Sequence, residues 1–168
     1  PNWLAEAISR KVPCVVVDDV NLEGQIDCVV SDDFHGAVQA VDHLVQLGHK
    51  RIAHFRGDFG RTSAEERLGG YKHALRAAGL SYERVIGHNY GADGIEESLD
   101  EVFASPDPPT AIFCSADSAG IRSLLWAKRR GLTVPDEFAV VGFANGHSAE
   151  MSNLSTVSQP FEEMGIQA

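Results

Sequence analysis

No stretch of the 168-residue chain comes near the roughly 20 consecutive apolar residues that a membrane helix needs, which excludes a helical span inside it. Cysteine is scarce. Cys14, Cys28 and Cys114 are odd in number and each sits among apolar residues, so a disulfide framework is not expected and a reducing compartment, the cytoplasm, is. Basic residues are outnumbered, 14 Lys and Arg against 24 Asp and Glu, and the formal charge of -10 sets the overall field against polyanions. Contact with DNA or RNA would have to come from another segment. Catalytic signatures are absent too: no G-x-x-x-x-G-K-[ST] loop, G-x-S-x-G elbow, H-E-x-x-H pair or C-x-x-C pair occurs. Asp58-Phe59-Gly60 copies a kinase tripeptide without any of its accompanying elements, and His35, His43, His49, His54, His73, His88 and His147 are scattered without ligand-like spacing. The expectation is a protein that is not an enzyme and uses no metal or cofactor. No signal peptide is visible, but the chain opens with Pro1 rather than Met, so that absence carries no weight.

What is present is globular: 43% hydrophobic and 23% charged residues suffice for a sizeable core. Trp3, Leu4, Ala7 and Ile8 recur at helical spacing, and the apolar run 12–17 then stops at Asp18-Asp19 as a buried strand stops. Strand and helix patterns alternate from there: a strand at 26–30, a helix through Ala37, Val41, Leu44 and Leu47 halted by Gly48, and a strand at 51–55. A helix follows, opened by a capping box at Ser63-Ala64-Glu65-Glu66 and halted by Gly79. Further strands fall at 84–87, 110–114 and 138–143, with helices at 93–104 and 117–130 between them. Apolar strands separated by helices of this length need crossovers, so the expected class is α/β with doubly wound parallel sheets. The strand at 13–17 has too few neighbours for a buried parallel strand, which suggests two lobes with the first incomplete. Residues 1–50 are expected to form the rear part of an N-terminal lobe, 51–150 a C-terminal lobe, and 151–168 a crossover returning to the first lobe.

In open parallel sheets ligands bind beyond the carboxyl ends of the strands, among loops and helix N-termini. Those loops hold Arg56, Arg61, Thr62 and Ser63 with Arg67 further on, then Asn89-Tyr90, Ser115-Ala116-Asp117 and Ala144-Asn145. Forked donors, hydroxyls, an amide, a carboxylate and an aromatic suit a small polyhydroxylated or anionic molecule such as a sugar derivative. Duller roles compete: Asp117 and Ser63 read equally well as helix caps, Tyr90 as a rim aromatic, and 128–130 as a basic cluster at a helix C-terminus. Arg67, close to a helix N-terminus, needs an anionic or hydroxyl-rich partner to explain it.

Seven strings in order carry a resemblance: 32–37 (DDFHGA), 43–53 (HLVQLGHKRIA), 67–71 (RLGGY), 109–113 (PTAIF), 131–136 (GLTVPD), 140–143 (VVGF) and 154–160 (LSTVSQP). Together they resemble the lactose-repressor (LacI/GalR) family of transcriptional regulators over nearly the whole chain. The resemblance implies a periplasmic-binding-protein-like effector domain of two lobes, a homodimer, and operator DNA bound through an N-terminal helix-turn-helix headpiece absent from this sequence. A small effector, commonly a sugar or nucleobase, would bind between the lobes and shift a conformational equilibrium, with no cofactor. Carried over position by position, the effector contacts are Arg61, Ser63, Arg67, Tyr90, Asp117, Asn145, Gln159 and Phe161. Ala144 stands where the family usually has a ligand-binding Asp, which turns the expectation toward an anionic or less hydroxylated effector, a sugar acid or sugar phosphate. A solute-binding protein of a sugar transporter shares this fold and is the alternative.

Overall fold

The computed structural model describes residues 2–18, 26–87 and 94–168. Strands and helices alternate in the order α1 (Asn2–Ser9), β1 (Val15–Val17), β2 (Asp27–Val29), α2 (Asp33–Gln46), β3 (Ile52–Phe55), α3 (Thr62–Ala77) and β4 (Arg84–Ile86). They continue with α4 (Ile95–Phe103), β5 (Ala111–Cys114), α5 (Asp117–Arg129), β6 (Ala139–Ala144), α6 (His147–Met151), β7 (Ser155–Ser158) and α7 (Phe161–Gln167). Every strand pairing is parallel, as the crossover argument requires: β1 with β2 in a two-stranded sheet, and a five-stranded sheet in the order β4-β3-β5-β6-β7. No helix among the described residues is long and apolar enough to cross a membrane.

The larger sheet is covered on both faces because its strands are apolar on both. Alternate residues of β3, β5 and β6 divide between two cores. Ile52, Ala111, Phe113, Val141 and Phe143 pack with α2 and α3, while Ala53, Phe55, Ile112, Cys114 and Val140 pack with α4 and α5. Arg129 pairs with Glu96 at 2.5 Å and Arg130 with Asp100, so the basic cluster at the end of α5 ties it to the acidic face of α4.

Ala37, Ala40, Val41 and Leu44 of α2 lie in the same core as Tyr71 of α3 and Phe143 of β6, so α2 belongs to the five-stranded layer. In the tail, β7 extends that sheet beside β6. Among the described residues β1 pairs with β2 alone, and Val15 and Val17 are 40% and 45% exposed.

The helix stops follow the sequence. At Gly48 (φ +94°) and Gly79 (φ +68°) the chain enters the left-handed region that Gly tolerates without a Cβ clash. The residues after them, His49 and Leu80, donate back to the carbonyls of Leu44 and Leu75. The starts differ. Asp32 caps α2, its carboxylate accepting the His35 N–H at 3.1 Å. The capping box at Ser63 does not form: α3 begins at Thr62, so Ser63 is already helical and the cap position falls to Arg61, with no side-chain bond. Asp117 is likewise inside α5, whose cap position is Ala116.

Candidate functional site

The carboxyl ends of β3, β5, β6 and β7 open onto one rim, which carries a connected set of polar side chains. Arg67 lies in the second turn of α3 rather than the first, and it is 5% exposed. Its Nε donates to Asp33 Oδ1 at 2.8 Å, a second guanidinium nitrogen lies 2.7 Å from the same oxygen, and a third donates to the Ser115 carbonyl at 2.6 Å. The cation also sits 3.9 Å from the centre of the Phe143 ring. The partner that Arg67 requires is therefore Asp33, brought from the first turn of α2. Burial pushes the Asp33 carboxyl above its ordinary pKa against the pull of Arg67.

Asp117 has an equally definite task. Buried at 7% exposure, it accepts the Thr156 hydroxyl at 2.5 Å on one oxygen and the Gly146 N–H at 2.9 Å on the other. That clamps the turn after β6, where Ala144 (φ +131°) and Asn145 (φ +58°) both have positive φ. Two such residues in succession are strained and persist only where the surroundings hold them. Asn145 N–H donates to Thr156 Oγ1 at 3.3 Å, its side-chain amide donates to Ser158 Oγ at 3.3 Å, and Gln159 N–H donates to the Ala144 carbonyl at 3.2 Å. The turn presents Asn145, an exposed side chain, at the rim.

Gln159 joins this rim to the smaller sheet. Its amide donates to Ser31 Oγ at 2.8 Å and, more weakly, to Asp18 Oδ1 at 3.4 Å. Ser31 in turn donates to Asp33 Oδ1 at 3.3 Å, so a continuous chain of bonds runs from Gln159 through Ser31 and Asp33 to Arg67. Beneath it, fully buried His54 lies between the rings of Tyr71 and Phe113, donating from Nδ1 to the Phe113 carbonyl at 3.0 Å and accepting the Ser115 hydroxyl on Nε2 at 3.2 Å. Desolvation lowers its pKa to about 3, so the ring is neutral.

Among the eight sequence-predicted contacts, Arg67, Asp117, Asn145 and Gln159 share this rim. Arg61, with its side chain 58% exposed, stands at the entrance to α3 with Nε 3.9 Å from Asp58, and Ser63 is half-buried in the first turn. Phe161 is 51% exposed at the start of α7 and has no place in the bonded chain. Tyr90 lies outside the described residues. Sequence reasoning missed Asp18, Ser31, Asp33 and Thr156. Asp32 and Asp33 stand in the string 32–37 that carries the resemblance, and three polar residues in a row, Ser31-Asp32-Asp33, are the signal that could have found them. Among the described residues no cluster of His, Cys, Asp and Glu could hold a metal ion.

The periplasmic binding protein-like domain family matches residues 41–168. The HTH-type transcriptional regulator DegA of Bacillus subtilis is 32% identical over 98% of this chain and 50% of its own length. A LacI transcriptional regulator from a Rhodococcus species is 29% identical with a TM-score of 0.86, over 98% of this chain and 62% of the other. The transcriptional regulator CelR, solved in complex with cellobiose, is 31% identical with a TM-score of 0.81, over 94% of this chain and 50% of the other. The chain thus spans about half the length of the curated relatives it matches.

Proposed function

Because this chain belongs to the periplasmic binding protein-like domain family, with LacI-type regulators as its relatives, we propose that it is the effector-binding domain of a cytoplasmic transcriptional repressor. A small polar molecule, a sugar or sugar derivative, binds at the rim where the larger sheet meets the smaller, and no chemistry is performed on it. The observation that carries this reading is the bond from Gln159 to Ser31 and Asp18, which sets the polar rim of one sheet against the loop ends of the other. That arrangement suits a ligand that changes how the two sheets sit together. A ligand acts as a switch only if it binds one arrangement more tightly, and each tenfold preference shifts the balance by about 1.4 kcal/mol.

Within the site the roles divide by burial. Arg67, Asp117 and Gln159 already have protein partners, and they form the floor and hold its loops. Asn145, Ser63 and Arg61, less buried, reach the ligand first, with Phe161 as a rim aromatic. The cellobiose complex of CelR supports a carbohydrate effector. The names of the relatives favour a DNA-binding regulator over a transporter's binding protein, with operator DNA held by a part of the protein outside this chain. A dimer of this domain is part of the proposal.

The test is a thermal-shift panel of neutral sugars, sugar acids, sugar phosphates and nucleobases on the full-length protein, followed by operator-binding titrations with each stabilising compound. At least one compound should raise the melting temperature and change operator affinity, since a ligand specific to the folded state stabilises it by mass action. Stabilisation without any effect on DNA affinity, or conversion of the bound compound to product, would refute the proposal.

A further inference from the structure

Two buried arginines stand at this rim, and they differ in one respect. Arg67 has all its bonded edges filled, by Asp33 and the Ser115 carbonyl. Arg56 does not. Its backbone N–H donates to Ile86 at 2.9 Å, which fixes the residue at the carboxyl end of β3, and the residue is 8% exposed. One terminal nitrogen meets Glu65, the guanidinium plane lies 3.7 Å from the centre of the Phe59 ring, and Nε is buried with no acceptor among the described residues. Buried donors without partners are rare in folded proteins. An ionised donor left bare beside a binding rim indicates an acceptor that the described residues do not supply.

The shape of the gap identifies that acceptor. Nε and the adjacent terminal nitrogen form the edge on which arginine takes carboxylates and phosphates through two parallel bonds. Glu65 occupies only half of it. The Glu65 side chain is 51% exposed, so an incoming anion can displace its carboxylate to water and take both nitrogens. Repulsion nearby is small. Asp33 is neutralised by Arg67, the Asp117 oxygens are occupied by Thr156 and Gly146, and Ala144 at the end of β6 brings no carboxylate.

Building on the effector-binding reading above, we propose that Arg56 is the specificity determinant for an anionic group on the effector, selecting an acidic sugar derivative over its neutral counterpart by exchanging Glu65 for the ligand's carboxylate or phosphate. Calorimetry on the full-length protein with glucose, glucuronate and glucose 6-phosphate tests this, because the three differ chiefly at one carbon. At least one acid should bind ten-fold or more tighter than glucose, the two acids showing which anion fits. Arg56→Met should bring that preference to near unity, and Glu65→Gln, which leaves the cation without its internal competitor, should strengthen acid binding several-fold. Both variants are checked for a cooperative thermal transition, and if Arg56→Met does not fold, the Glu65→Gln comparison decides. Glucose binding as well as the acids, or acid affinity indifferent to both variants, would overturn the role of Arg56 while leaving the effector-binding reading intact. Acid preference lost on Arg67→Met but kept on Arg56→Met would place the anion elsewhere on the same rim. No binding by any of the three, alongside a nucleobase that binds and releases DNA, would also end the proposal for Arg56.

Discussion

His54 illustrates how much a single buried side chain can hold in place. Neutral between Tyr71 and Phe113, it uses both ring nitrogens, and through Ser115 it supports the carbonyl that receives Arg67. Its pKa near 3 in the fold lies below the ordinary 6.5, so between those values the unfolded chain binds a proton that the folded one does not. Stability contributed by the neutral ring is complete above pH 6.5 and is lost as the pH falls toward 3. Urea unfolding should therefore show a loss of about 2 kcal/mol from this residue between pH 6.5 and pH 5, at about 1.4 kcal/mol per unit. His54→Phe, which keeps a ring in the stack, should be less stable at neutral pH but lose less on acidification. Parallel pH profiles for the two proteins would rule out that role. Some of this scale was legible in the sequence and some was not. Arg67 stood out because a cation near a helix start needs an anion, yet Asp33 lies 34 positions away, and nothing local connects them. Ser63 and Asp117 have cap-like composition, but the bonds of Asp117 to Gly146 and Thr156 exist only once β6 and β7 are in place.

Among elements, the closest packing is between α2 and α3, and it depends on Gly70. A Cβ at this position would stand 2.3 Å from the Phe34 carbonyl oxygen and 2.8 Å from the Ala37 Cβ, backbone and short side chain that cannot give way. At Gly69 a Cβ would meet only the Phe34 ring, at 3.5 Å, ordinary van der Waals contact. Gly70→Ala should thus destabilise the protein by about 1–3 kcal/mol by forcing the helices apart, despite the better helix propensity of Ala. Gly69→Ala should stabilise it by up to about 1 kcal/mol. Thermal melts of both variants check the contrast, and equal shifts of the same sign would show that helix separation is not set at Gly70. The existence and type of the described elements from α1 to β6 followed from apolar periodicity and from Gly stops, because those signals are local, whereas α6, β7 and α7 are too short to show either and were not expected. The membership of α2 did not. Its stripe Ala37, Ala40, Val41 and Leu44 shows that it is buried, but not against which sheet, and that choice is settled by the close approach that Gly70 permits.

For the molecule as a whole, the point of interest is how the two sheets are connected at the rim. The side chain of Gln159, 7% exposed, reaches from the end of β7 to Ser31 and Asp18, which follow β2 and β1. Asp18 itself has φ +62° and donates its N–H to the Val29 carbonyl at 2.9 Å, so the bond from Gln159 falls on a loop end with positive φ. Each neutral hydrogen bond contributes about 0.5–1.5 kcal/mol net, and Gln159→Leu removes both while keeping the bulk. The larger sheet retains its two cores and should hardly respond. The smaller sheet receives this bond at the ends of β1 and β2 and should open more often. Hydrogen exchange at Asp18 and along β1 and β2 is therefore expected to quicken by roughly ten-fold, the kinetic equivalent of about 1.4 kcal/mol, while the amides of β3, β5 and β6 keep their protection. If exchange quickens equally in both sheets, the bond stabilises the whole fold rather than the junction. If it quickens in neither, Gln159 does not couple them, and a ligand at the rim would need some other contact through which to move one sheet against the other.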